Sequence, residues 1–192
     1  AILDGMSLEE KVGQMFFARC PDSNAAAKVS QYHIGGYLLF ARDFQSKSRQ
    51  EVTNSLERYQ NQAKVPLLLG VDEEGGIVNR ISKYRTFRAV PFHSPQELYQ
   101  EGGWPLIESD TAEKCKLLRS LGINVNFAPV CDVPSSDSDY IYPRSFGEDP
   151  KLTSDYVRTV TQTMRQQDVA AVLKHFPGYG NNADTHTGIA VD

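Results

Sequence analysis

The sequence predicts an α/β protein of TIM-barrel, (β/α)8, type, of which the chain supplies about the first five β/α units. Three observations carry this expectation. Amphipathic helical stretches alternate with short apolar runs of strand character, the pattern of a parallel sheet. Residues able to do chemistry fall just after those runs: Arg42 and Asp43, Asp72 and Glu73, Asp132, then Lys174 and His175. No Gly-x-Gly-x-x-Gly fingerprint follows the first run, which favours a barrel over a doubly wound sheet.

Taken in order, Ser7-Leu8-Glu9-Glu10 fits a capping box that opens a helix with Leu8, Val12 and Met15 on one side, weakened by Gly13. Met15-Phe16-Phe17-Ala18 reads as a short buried strand, and Lys28 to His33 as a helical turn. Ile34 to Phe40 follows as a buried strand entered through Gly35 and Gly36. From Ser46 to Ala63, Val52, Leu56 and Tyr59 recur at helical spacing, and Pro66 stops that helix before the strand Leu67 to Val71. Thr111 to Leu121 is a helix closed by Gly122, followed by a strand from Ile123 to Val130. Leu152 to Gln167 carries Tyr156, Val160 and Met164 on one helical face and leads into the strand Val169 to Leu173. A whole barrel needs about 250 residues and eight strands. Residues 1–192 are therefore expected to be one domain, the N-terminal portion of a longer barrel, whose open edge strand would invite self-association.

The chain has 192 residues, 40% hydrophobic and 23% charged, enough for a sizeable core. A net charge of −4 without a basic stripe argues against nucleic acid as a partner. No apolar run approaches a membrane span, and the start Ala1-Ile2-Leu3-Asp4 lacks the form of a signal peptide, so localisation stays open. Cys20, Cys115 and Cys131 are widely spaced in apolar or helical contexts and read as free thiols. Cys131 has no cationic neighbour in sequence that would activate a thiolate.

The densest chemistry lies between Lys174 and His186, where a strand end runs into a Gly/Asn loop bearing Asp184-Thr185-His186. Asp184 can orient the His186 ring for general acid–base work; the alternative is a solvated polar loop. Lys174-His175-Phe176-Pro177-Gly178-x-Gly180 followed by Asp-x-His resembles the signature of the N-terminal barrel of family 3 glycoside hydrolases, in their bacterial β-N-acetylglucosaminidase branch. Asp72-Glu73-Glu74-Gly75-Gly76 with Arg80, Asn126 to Val133, and Arg144-Ser145-Phe146-Gly147-Glu148-Asp149-Pro150 agree in the order that family shows.

The resemblance implies hydrolysis of terminal non-reducing N-acetyl-β-D-glucosaminide bonds by a retaining double displacement, on a glycan or glycoconjugate, with no cofactor and no metal. Asp72, Arg80, Arg144, Lys174 and His175 match positions that grip the sugar, and charged groups suit that task because hydroxyls pair readily with carboxylates and guanidinium groups. His186 with Asp184 matches the acid–base pair, and Asp132 a structural acid at the fourth strand's end. The nucleophilic aspartate is expected beyond residue 192, since Asp192 follows the Asp-x-His motif too closely to match it. Departures from the family pattern are Tyr179, Thr185, Ile77 and the stretch Pro134 to Asp139. Competing readings are a β-glucosidase-type member, a noncatalytic sugar-binding half-barrel, and a metal-dependent hydrolase using Asp72, His175, Asp184 and His186, although no His-x-His or His-Glu-x-x-His spacing supports the last.

Overall fold

The structure is a computed structural model that describes residues 2–188, so Asp192 lies outside the described residues. In chain order the main elements are α1 (Leu8–Gln14), β1 (Phe17–Arg19), α2 (Ala25–Tyr32), β2 (Gly36–Leu39), α3 (Arg49–Gln60), β3 (Leu68–Val71), α4 (Pro95–Ser120), β4 (Val125–Asn126), α5 (Pro150–Gln166) and β5 (Ala170–Ala171). Three helices begin with the same device: Ser7, Ser48 and Ser94 cap α1, α3 and α4, each in a capping box with a glutamate three residues on.

The strands form one parallel sheet in the order β1-β2-β3-β4-β5. Consecutive neighbours and helical crossovers are the connectivity of a (β/α) barrel arc. The register pairs Leu39 with Val71, Val71 with Asn126, and Asn126 with Ala171, so the strands' carboxyl ends lie along one rim.

Side-chain alternation sorts the two faces of the sheet. Tyr37, Leu39, Leu69 and Val71 are buried and join the core formed with residues such as Val52, Leu56, Leu118, Val160 and Met164 from the helices. Phe17, Leu38, Leu68 and Phe127 remain partly exposed. Phe17 and Phe127 meet edge to face at 5.1 Å, and a Cβ on Gly70 would lie 2.6 Å from one ring and 2.8 Å from the other. The glycine in β3 thus gives the two rings room to pack across it.

The predicted elements are present with shifted bounds. The predicted first strand moves to Phe17–Arg19, and the last two strands shrink to two residues each, although Val130 and Lys174 form one further parallel bridge. The expected burial of the first strand is a correction: Met15 and Phe16 are exposed and Phe17 and Ala18 only half-buried, because β1 is the edge strand, and Leu8 and Val12 on α1 beside it are exposed too. The contact side of α1 is instead Gly13, where a Cβ would stand 2.3 Å from the Tyr32 carbonyl oxygen and 2.5 Å from that of His33. Helix α4 reaches much further back than predicted, to Pro95, and breaks at Gly103 (φ 61°, ψ −153°), a conformation that a glycine adopts without a Cβ clash. Gly102, Gly103 and Pro105 erased the helical signal there.

Close approach at Gly13 makes a direct prediction. Gly13→Ala should lower stability by about 1–3 kcal/mol, the usual penalty for forcing atoms into a packed site. Gly5→Ala, with nothing within 4 Å of its Cβ, should change it by less than about 0.5 kcal/mol. Urea midpoints of the two variants decide the matter; equal midpoints would contradict the packing role.

Candidate active site

Strand β3 delivers Asp72, Glu73 and Glu74 to the rim, and the three do different work. Glu73 is fully buried, and its carboxylate accepts the backbone N–H groups of Arg80, Ile81 and Ser82 at 2.7–2.9 Å. Its own main chain is held by Asn126, whose side-chain amide accepts from Glu73 N and donates to Glu73 O, each at 3.0 Å. Glu73 therefore ties the loop carrying Arg80 to β3 and β4 rather than facing a ligand.

Arg144 arrives on a loop anchored by aromatic packing. Phe146 stacks between Trp104 and Tyr156, at centroid distances of 5.5 and 4.9 Å. The Gln96 side chain donates to the carbonyls of Tyr142 and Ser145, which fixes the turn just before it. The guanidinium then meets Glu74 in a two-armed bond, Nε to Oε2 at 3.0 Å and Nη2 to Oε1 at 2.9 Å. Lys174, just after β5, reaches both Asp72 (2.7 Å) and Glu74 (2.5 Å).

His175 completes the row. Its Nε2 lies 3.2 Å from Nη2 of Arg144 and its Nδ1 2.7 Å from Asp132. A guanidinium only donates, so Nε2 accepts, and the ring proton sits on Nδ1 facing Asp132. Asp132 also accepts the backbone N–H groups of His175 (3.0 Å) and Tyr179 (2.7 Å). Its carboxylate is spent on shaping the loop, and it does not line the cavity. Burial alone would raise its pKa, but the His175 ring and the two backbone donors outweigh that and hold it below the usual carboxylate range. Glu74 behaves alike: burial opposes ionisation, while the Arg144 bonds and the Lys174 charge keep it ionised below that range.

A cavity of about 650 Å³ opens on these groups. Asp72, Arg80, Arg144, Lys174, His175 and His186 all line it, so the structure brings together every residue assigned to sugar contact, with the histidine of the Asp-x-His motif. Asp184 stands behind His186, accepting from its Nδ1 at 2.7 Å and from its backbone N–H at 3.0 Å. Those backbone and ring hydrogen bonds lower the Asp184 pKa. With Nδ1 engaged, Nε2 is the nitrogen of His186 left for a ligand. Arg80 carries a buried Nε without a hydrogen-bond partner and packs its guanidinium 5.8 Å from the Phe40 ring centroid. Unused donors beside a cavity are what a polar ligand would satisfy.

Glu74, Phe40 and Tyr140 also line the cavity and were not assigned by sequence. Only Glu74 carried a signal, as the third acid of Asp72-Glu73-Glu74. The metal reading finds no support in the arrangement: Asp72 pairs with Lys174, His175 with Asp132, and His186 with Asp184. Among the described residues these groups do not gather into a ligand cluster. All three cysteines are free; Cys20 and Cys115 are buried, and burial pushes both thiols up to about 11.

The fold and the site define a domain of (β/α)-barrel type with a charged cleft at its strand ends. The chain belongs to the family described as the glycosyl hydrolase family 3 N terminal domain, which matches residues 7–192. It is 36% identical to beta-hexosaminidase A of Pseudoalteromonas piscicida over 84% of this chain and 28% of that protein. It is 32% identical to beta-hexosaminidase LpqI of Mycobacterium tuberculosis over 95% of this chain and 46% of that one. Among solved structures, a family 3 glycosyl hydrolase from Mycobacterium smegmatis superimposes with a TM-score of 0.82 at 30% identity, covering 96% of this chain and 55% of the other. A family 3 β-N-acetylglucosaminidase from Paenibacillus sp. gives the same score and identity over 95% and 35%. The fold is thus of TIM-barrel type, and the chain spans less than half the length of these two curated relatives.

The depressed pKa of Asp132 sets a pH dependence. A carboxylate that is more acidic in the folded chain stabilises it fully above the ordinary range, near pH 4, and this is lost as pH falls through the folded value. Urea midpoints of the wild type should therefore drop more steeply as the pH falls below about 5 than those of Asp132→Asn. Parallel curves would show that Asp132 carries none of the acid sensitivity.

Proposed function

We propose that this chain forms the sugar-gripping part of a retaining β-N-acetylhexosaminidase acting on terminal non-reducing N-acetyl-β-D-glucosaminides of a glycan or glycoconjugate. The observation that carries the reading is the convergence of Asp72, Arg80, Arg144, Lys174, His175 and His186 on one cavity, with Asp184 behind the last. Membership of family 3 and the names of the relatives, beta-hexosaminidase and β-N-acetylglucosaminidase, support it.

In this reading Asp72 accepts from sugar hydroxyls, while Lys174 and Arg80 donate to them, in a pocket whose charges are already fixed by one another. Protonated His186 gives its Nε2 proton to the glycosidic oxygen as the bond to the anomeric carbon breaks and a carboxylate takes the leaving group's place. The ring, now neutral, accepts a proton from water in the second step, and that water releases the sugar from the carboxylate. Asp184 keeps the Nδ1 proton in place throughout. Among the described residues, the carboxylates lining the cavity, Asp72 and Glu74, are committed to ion pairs with Lys174 and Arg144, which supports the reading that the nucleophile lies outside them. That same commitment favours, as the second reading, a sugar-binding half-barrel without turnover.

Calorimetry with N-acetylglucosamine should give one saturable site on this chain. Asp72→Ala and Arg80→Ala should each weaken it by about 10–100-fold, the loss of one charge-assisted hydrogen bond. A folded chain without saturable sugar binding would contradict the proposal. With a chromogenic N-acetyl-β-glucosaminide, the 192-residue chain should release no aryl alcohol. Release that disappears in His186→Ala would put the nucleophile inside the chain.

A further inference from the structure

Glu74 stands at the centre of the charged row. Its side chain is only 5% exposed, yet it touches the cavity. Oε2 accepts from Nε of Arg144, and Oε1 is shared between Nη2 of Arg144 and the Lys174 ammonium. The main chain beneath is pinned as well. Glu74 N donates to Val78 O at 3.0 Å, and the Glu74 carbonyl accepts from Lys114 Nζ at 3.1 Å. Lys114 is itself buried on α4 and pairs with the buried Asp110 at 3.4 Å. A carboxylate clamped at its backbone and at both oxygens cannot swing, so it dictates where the two cations stand.

The charges around the cavity say what else it does. Among the described residues, two carboxylates, Asp72 and Glu74, face three permanent cations, Arg80, Arg144 and Lys174. Among the described residues Glu74 is the acid with which Arg144 forms a salt bridge. Without the Glu74 charge, Asp72 alone would stand against three cations, and a half-buried guanidinium would be left to find another anion. Guanidinium and ammonium groups in that state bind phosphate-like ions well.

We propose that Glu74 is a positioning and selectivity residue, which sets Arg144 and Lys174 for an uncharged sugar and keeps free anions out of the cavity. The inference rests on the sugar-binding reading above for its ligand, and on the ion pairs alone for anion exclusion. Glu74 touches the sugar only through the two cations that it holds.

The test uses the full chain, its Glu74→Gln and Glu74→Asp variants, calorimetry with N-acetylglucosamine and with inorganic phosphate at matched ionic strength, and the nitrogen-15 signal of the Arg144 Nε–H. The wild type should bind sugar and not phosphate, and show an exchange-protected Nε–H. Glu74→Gln should lose about 10-fold or more in sugar affinity, gain saturable phosphate binding and lose the protected signal. Glu74→Asp, which keeps the charge, should restore rejection of phosphate. A Glu74→Gln chain that binds sugar as the wild type does and still ignores phosphate overturns the proposal. So does failure of both variants to fold, since the carboxylate would then serve the fold rather than the cavity. A wild type that binds no sugar would sink the sugar reading instead, while phosphate binding and the Arg144 signal would still decide the role of Glu74.

Discussion

Charges taken out of water must be matched, and the row Asp72, Lys174, Glu74, Arg144, His175, Asp132 meets that demand by alternating sign and polarity across the ends of β3, β4 and β5. Each member is held by the next, so the loops after the three strands are fixed relative to one another at the place where the cavity opens. Breaking one buried pair costs about 3–5 kcal/mol, because the abandoned partner keeps its charge without its counterion. The row is therefore better understood as a device for geometry than as a source of net stability. Its supports lie further out: the Phe146 stack under Arg144, Glu73 under the Arg80 loop, and Lys114 under the Glu74 carbonyl.

Much of this was legible in the sequence, for reasons that differ by residue. The alternation of helices and strands, the chain-order sheet and the placement of Asp72, Lys174 and His175 just past strand ends follow from periodicity and from the direction in which a parallel strand points its carboxyl end. The capping boxes at Ser7 and Ser48 are local and need no tertiary contact; the first of them was read directly. What was not legible depends on neighbours distant in sequence. Helical spacing in α1 marked Leu8, Val12 and Met15 as apolar, but not that they would lie beside an edge strand. The first half of α4 was hidden because two glycines and a proline oppose helix locally while buried Leu98 and Ile107 stabilise it through packing. Glu74 could not be separated from Glu73 by sequence, since both are acids after one strand; only the partners, backbone amides for one and Arg144 with Lys174 for the other, tell them apart.

Positions at which the chain departs from the family pattern fit together in space. The Tyr179 hydroxyl lies 3.0 Å from Oγ1 of Thr185, and its ring meets His175 edge on at 4.8 Å and Tyr140 at 5.4 Å. The unusual stretch before Tyr140 is folded by Asp139, whose carboxylate accepts the backbone N–H groups of Ser135 and Ser136. That turn leads into Tyr140, which packs on the Tyr179 ring, and the Tyr179 hydroxyl meets Thr185, so this part of the rim is tied to the Asp-x-His loop. Ile77 remains exposed at the mouth of the cavity and adds an apolar edge to it. These positions lie on the rim, outside the charged row.

The proposed function requires the charged row at these strand ends to grip an N-acetylglucosamine unit and present it to His186. A crystal structure of the chain with N-acetylglucosamine bound tests it most directly. The sugar should lie in the cavity, with hydroxyls within hydrogen-bond reach of Asp72, Arg80 and Lys174, the Arg144 to Glu74 bonds unbroken, and the anomeric oxygen on the side of His186 Nε2. A sugar bound elsewhere, or one that enters by displacing Glu74 from Arg144, would contradict it.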